Sequence, residues 1–364
     1  MSSRQNNFDS LRLLGAMLVA LGHTMVIVFG FDGLGRLTNN QSFGGVGLNI
    51  FCTISGYLIT KSRLRNAMPA FFASRALRIL PALIVAIPLM AFVLGPFITT
   101  LPLGRYLASG GTWRFLATIF VFPLNPGLPG VFGGVALVGQ LYSLTAEASF
   151  YVLVGLLGRW RHFSKLNGLL LLVTWAVFLL NDYGSLPFSH IVRVHVGDVT
   201  TLFYPVRLGT LCFFYLFAGA ALALLEITPT ILARMTAIAI PVWLIALFSS
   251  DRRVYDVVEM TMLPIAVLGI GLLSRFTVRI PEKLGDISYG VYIYHFATAE
   301  LVFTLAKQRQ SWLVVAISLV MSTLLGWISF QLVEKRALSH KAQAARDATR
   351  EISVASRAIS HQPT

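Results

Sequence analysis

The chain has 364 residues, of which 56% are hydrophobic and only 12% charged, with a mean hydropathy of +0.74. No ordinary soluble globular composition approaches this, so a polytopic membrane protein is expected. The net charge of +14, which would suggest nucleic acid in a soluble protein, becomes here a question of which membrane face holds the positive residues.

Apolar stretches of spanning length recur at about 8–31, 46–62, 77–100, 135–157, 166–181, 205–225, 232–249, 259–274, 286–305 and 311–332. They predict an all-α bundle of about ten transmembrane helices in one domain, 1–333. A basic tail, 334–364, then lies on the anionic inner leaflet. The first stretch is too long for a signal peptide, carries Asp9 and Arg12, and precedes many further spans, so it is read as retained. With a cytoplasmic N-terminus the inner side holds Arg4, Arg12, Lys61, Arg63, Arg65, Arg75, Arg78, Arg159, Arg161, Lys165, Arg234, Arg275, Arg279, Lys283 and the tail. These are most of the basic residues, which predicts both termini in the cytoplasm. The two cysteines, Cys52 and Cys212, fall inside spans and imply neither a disulfide framework nor a metal site.

The first span carries an arginine and a histidine where hydrocarbon tolerates neither without cause. Arg12 and His23 are separated by about three helical turns and so share a face, roughly 16 Å apart along the axis. Gly15, Ala16, Val19, Ala20 and Gly22 lie on that face, toward partner helices. Leu14, Met17, Leu18, Leu21, Met25 and Val28 fill the other, toward lipid. An imidazole deep in the membrane and facing protein is a candidate functional group; a structural histidine bonded to a neighbouring helix fits the same pattern.

The second span reads GLNIFCTISGYLIT over 47–60, where Ser55-Gly56 permits close backbone approach by another helix. At the mouth of the third, Arg75 and Arg78 stand three residues apart, ahead of Pro81. Two guanidiniums so placed can clamp phosphate oxygens or serve as positive-inside anchors. The outer loop 101–134 is rich in Pro and Gly and embeds an apolar run, 113–122, too short to cross, hence re-entrant or superficial. A second outer stretch, 182–204, carries His190, Arg193, His195 and Asp198, suited to meeting a polar substrate or to plain solvation. In the fourth span Gln140, Ser143, Glu147 and Tyr151 form a polar stripe, and an intramembrane glutamate must be protonated, paired or wetted. In the ninth, Ser288, Tyr292 and His295 share a face and bring a second imidazole inward.

Arg12 with His23, the run ending Ser55-Gly56-Tyr57, Arg75-x-x-Arg78 with Pro81, Ser143-Leu-x-x-Glu147 and Ile287-Ser-Tyr-x-x-Tyr-x-x-His295 occur in an order that resembles the acyltransferase-3 family of integral membrane O-acyltransferases. Tyr142, Ala148, Cys52 and Asn49 depart from residues common there (tryptophan, an acidic residue, an aromatic and aspartate). The resemblance implies a bacterial inner-membrane enzyme that moves an acyl group, usually acetyl from cytoplasmic acetyl-CoA, to a hydroxyl of a surface polysaccharide, oligosaccharide or lipid-linked glycan, without metal or nucleic acid. It implies His23 and Arg12 as the first-helix pair, with His23 as general base or acyl carrier and Glu147 or His295 orienting it. Arg75, Arg78 and Ser55 would hold the donor. A secondary transporter with an Arg/His/Glu path is the competing class, though no duplicated half is evident.

Overall fold

A computed structural model describes residues 7–121, 127–134, 137–184, 192–196, 199–204, 206–273 and 284–337, with backbone alone for 192–196 and 199–204. In chain order the helices are α1 (Phe8–Phe29), α2 (Gly33–Thr38), α3 (Phe43–Arg65), α4 (Met68–Leu89), α5 (Gly95–Ile98), α6 (Leu103–Ala108), α7 (Gly110–Phe115), α8 (Leu141–Leu157) and α9 (Phe163–Tyr183). They continue with α10 (Val206–Leu224), α11 (Pro229–Ala246), α12 (Arg252–Leu272), α13 (Ser288–Leu305) and α14 (Trp312–Ser329). A π turn, Met90–Leu94, joins α4 to α5, and another, Phe330–Glu334, extends α14.

Among the described residues eight helices are long and apolar enough to cross a bilayer: α1, α3, α4 with its extension, α9, α10, α11, α12 and α14. α8, a shorter apolar helix of 17 residues, and α13, less apolar because it carries Ser288, His295, Thr298 and Glu300, complete a bundle of ten. Hydrocarbon offers backbone groups no partner, so helices satisfying their own N–H and C=O groups are the economical way across. The protein is thus a helical multi-pass membrane protein. A two-stranded antiparallel hairpin, β1 (Val192–Val196) with β2 (Val199–Tyr204), departs from helix in the 182–204 connection.

The helix α1 packs on α3, α13, α14 and α12. Small residues permit its closest approach: a Cβ added at Gly47 of α3 would fall onto the carbonyl oxygen of Gly15. The expected close approach at Ser55-Gly56 is found too. A Cβ on Gly56 would overlap the Leu216 carbonyl of α10, and one on Gly219 that of Thr53. Gly30, at φ 80°, ends α1, and Asp32 then accepts N–H bonds from Leu34, Gly35 and Phe43, clasping the turn that feeds α3. Leu14 is exposed, on the face expected to meet lipid.

Four expectations need correction. Met25 and Val28 are buried, because α2 folds over Met25 and because Val302, Val314 and Val315 cover Val28. The helix α4 starts at Met68, with Pro69 in its first turn, so it begins well before the expected 77 and carries Arg75 and Arg78 within it. The helix α8 begins only at Leu141; 127–134 and 137–140 ahead of it are not α-helical, with Gly130 and Gly133 at positive φ. The helix α12 starts at Arg252, where Asp251 caps it, and so takes in Asp256 and Glu259. In the 101–134 connection, α6, α7 and a 3-10 turn are too short to cross and lie along α4 and its π turn: the Trp113 ring meets that of Phe92 at a tilt, and the Tyr106 hydroxyl donates to the Ala91 carbonyl. His190, Asp198, the side chains of Arg193 and His195, Arg4, Arg275, Arg279, Lys283 and the tail after 337 lie outside the described residues.

Candidate functional site

Two cavities lie end to end along α1. The smaller, about 50 Å³, is lined by Arg12 of α1, Ser55 and Cys52 of α3, Arg78 of α4, Ser143, Glu147 and Tyr151 of α8, and Ser288, Tyr289 and Tyr292 of α13. It has room for a water molecule or two. Arg78 bonds to Asp286 at 3.0 Å, and Arg12 lies 3.6 Å from the same carboxylate and 3.2 Å from Asp9. Asp286 precedes α13, outside the spanning segments. Burial alone would push its carboxyl up, but Arg78 and Arg12 outweigh that and hold it at about 2. Glu147 accepts from Ser55 Oγ at 3.0 Å and from the Tyr151 hydroxyl at 2.6 Å. Arg75 does not line this cavity; it reaches Ser62 and lies over the rings of Phe71 and Tyr151.

The larger cavity, about 370 Å³, holds His23 together with Gln41, Gly44, Asn49, Gln140, Tyr142, Arg207, Arg252, Asp256, Glu259 and Tyr292. His23 Nδ1 is 2.8 Å from His295 Nε2, and His295 Nδ1 is 2.8 Å from the Tyr292 carbonyl. A carbonyl only accepts, so His295 carries its proton on Nδ1 and its Nε2 is the acceptor. His23 must then donate from Nδ1, which leaves Nε2 with a free lone pair. That Nε2–Cδ2 edge abuts Gly44, itself in the cavity wall. The two imidazoles therefore form one unit: the fully buried His295 sets both tautomer and orientation of the half-buried His23, as a second residue does behind a catalytic base.

Of the two residues expected to orient His23, the structure pairs it with His295; Glu147 sits in the other cavity with Arg12, Arg78 and Ser55. The cavities meet at Leu48 and Tyr292, which line both. The Tyr292 hydroxyl is held by Ser143 Oγ and by the Gln140 carbonyl at 2.9 Å. A side chain's thickness thus parts the arginine end of α1 from its histidine end.

Sequence reasoning missed Glu259 and Asp286 as site residues. Glu259 is 3% exposed and accepts from Gln41 Nε2 at 2.5 Å and Asn49 Nδ2 at 3.2 Å. It fell on the expected first residue of a span, where a charge reads as a membrane-interface residue. Its spacing with Arg252 and Asp256, all on α12, was the available clue: Arg252 bonds Asp256 at i+4.

A half-buried imidazole held by a second one thus lies inside the helical membrane bundle, with paired arginines at the far end. The family model described as an acyltransferase domain (acyltransferase-3) matches residues 5–331, and the chain belongs to that family: it is a multi-pass membrane acyltransferase. It is similar to Nodulation protein 10 of Rhizobium leguminosarum bv. viciae, 27% identical over 374 aligned positions covering 93% of this chain and 94% of that protein. It is also similar to an O-acetyl transferase of Shigella phage Sf6, 26% identical over 348 positions covering 92% and 97%. No solved structure matches the chain.

Proposed function

We propose that the protein is an O-acetyltransferase of the bacterial inner membrane that takes acetyl from cytoplasmic acetyl-CoA and delivers it to a hydroxyl of a surface polysaccharide, oligosaccharide or lipid-linked glycan. The observation that carries this is the His23–His295 pair, which leaves His23 Nε2 as an open lone pair in a cavity of ligand size. His23 takes the proton as the hydroxyl oxygen bonds to the acyl carbon, and returns it to the sulfur as the carbon–sulfur bond breaks. Electrons and protons balance without an external acid or oxidant.

The arginine end is assigned to the cytoplasm because the basic segments gather there, which also puts both termini on that side. Arg12 and Arg78 suit donor phosphates, with Arg75 farther along the same helix and Ser55 in the cavity wall. The small cavity does not fit a pantetheine arm as it stands, so Tyr292 and Leu48 must swing aside during transfer. The name of the phage relative, an O-acetyl transferase, supports acetyl and an oxygen acceptor. Family membership speaks for transfer chemistry and against the transporter reading.

The test is labelled acetyl-CoA with purified protein in liposomes and a surface-glycan fraction from cells lacking the gene. Label is expected in the glycan with wild type and lost by about 10²–10⁴ with His23→Ala, the range for a general base. Full transfer by His23→Ala would end the mechanism. Mass analysis of glycans with and without the protein identifies the added group and the acceptor together.

A further inference from the structure

The larger cavity sets open hydrogen-bond acceptors beside two ion-paired guanidiniums. Three of its polar groups offer lone pairs. His23 Nε2 is free by the tautomer argument above. Glu259 accepts from Gln41 and Asn49 on Oε1, with the Tyr255 hydroxyl a third neighbour, and a carboxylate has lone pairs left for a further donor. Gln140, 2% exposed, gives its Nε2 protons to the carbonyls of Tyr292 and Ile293 at 3.2 and 3.1 Å. Those bonds fix the amide, so its other end must be an acceptor, and Gln140 Oε1 is buried with no partner among the described residues. Buried acceptors left open are costly unless something fills them.

Each cation of the same wall already has a carboxylate partner, though both guanidiniums keep further N–H groups. Arg207 bonds Asp182 at 2.6 Å and Arg252 bonds Asp256 at 3.2 Å. Asp32 has both oxygens engaged by backbone N–H groups, and Glu259 makes no ion pair among the described residues. A ligand bearing its own anion would meet Glu259 with no uncommitted cation to offset it.

We propose that this cavity is an acceptor subsite for a neutral polyol, in which Glu259 and Gln140 receive two hydroxyls flanking the one that His23 activates. The proposal rests on the acyl-transfer reading and adds to it the residues that choose the acceptor. Neutral sugars supply the donors that the lone pairs require; a uronic acid brings a carboxylate to a wall whose guanidiniums already have carboxylate partners and whose Glu259 has no cation of its own among the described residues. Glu259 is a binding residue here and does not touch the donor, so its loss separates the two substrates.

The experiment uses the full-length protein in nanodiscs with labelled acetyl-CoA, following both coenzyme A release and label on methyl glycosides of glucose, galactose, rhamnose and glucuronic acid. At least one neutral glycoside is expected to accept label and the glucuronide to fail. Glu259→Gln, equal in size but presenting an amide donor in place of a carboxylate oxygen, is expected to raise the acceptor KM about tenfold or more, with the acetyl-CoA KM within twofold. Glu259→Asp, which keeps the charge but withdraws it, gives the same split at smaller size and serves if the Gln variant does not fold. The inference is overturned by a glucuronide that accepts as well as the neutral sugars, by an acceptor KM unmoved in both variants, or by the two KM values moving together, which would make Glu259 a strut between α12 and α3. Coenzyme A release without label on any glycoside overturns it as well. Absence of coenzyme A release in the wild type removes the acyl-CoA reading itself.

Discussion

Replacing His295 by phenylalanine tests whether the two imidazoles act as one unit. The change keeps an aromatic ring at a fully buried position but deletes the Nε2 lone pair that accepts from His23 Nδ1 at 2.8 Å. A buried N–H stripped of its partner costs about 1–3 kcal/mol. Part of that cost is avoided by moving the proton to Nε2, which closes the lone pair needed to deprotonate the acceptor. At 1.36 kcal/mol per factor of ten, kcat should fall roughly 5- to 150-fold, with the acetyl-CoA KM little changed. His295→Gln can accept through its amide oxygen and should recover part of the loss. The double variant with His23→Ala should be no slower than His23→Ala alone, because residues acting as a unit are not additive. The assay is initial rate of label transfer in liposomes, normalised to folded protein. A full rate for His295→Phe, or a double variant showing the product of the two single losses, would refute the coupling.

Tyr292→Phe removes the hydroxyl that ties the partition to Ser143 and Gln140, loosening it by about 1–2 kcal/mol. Acceptor-independent hydrolysis of acetyl-CoA should rise severalfold, and unchanged hydrolysis would show that the ring is not the closure. Gly56→Ala places a Cβ on the Leu216 carbonyl and should cost about 1–3 kcal/mol, read as a lowered Tm in detergent. Gly168→Ala, with nothing near its Cβ, should hold or raise Tm through helix propensity, and equal effects at both positions would contradict the packing. Asp286, held at about 2 against an ordinary 3.8, contributes about 2 kcal/mol of stability. Its folded-state value is depressed, so the contribution is present above pH 4 and fades as pH falls toward 2. Asp286→Asn should lower Tm at neutral pH, and the gap to wild type should close in acid; a pH-independent gap would show that the ion pair is not its source.

The periodic features of the site were legible in the sequence. A constant 100° per residue places Arg12 and His23 on one face, and the small residues around them mark that face as protein-facing. The same arithmetic on α13 brings His295 inward. What the sequence could not supply is which partner each inward group meets. Glu147 and His295 were equivalent candidates for His23, and only the register of α8 and α13 against α1 separates them. Helix starts were misjudged wherever charges lay inside a helix: Arg75 and Arg78 in α4, Arg252 and Asp256 in α12. Hydropathy treats such residues as ends, whereas a helix runs on past its apolar stretch where its charges are paired, as Arg78 is with Asp286 and Arg252 with Asp256. Met25 and Val28 were misassigned because a lipid-facing stripe and a stripe covered by another apolar helix look alike in composition.

The thin wall of Leu48 and Tyr292 bears also on what such a protein must not do. A voltage of 100 mV does about 2.3 kcal/mol of work on each charge that crosses, and a continuous file of water past Arg12, Glu147 and His23 would let protons run down that gradient. Two blind chambers back to back offer no such wire. On the proposed reading this wall insulates a donor side from an acceptor side, and Leu48→Ala should be felt first by the cell as a leak.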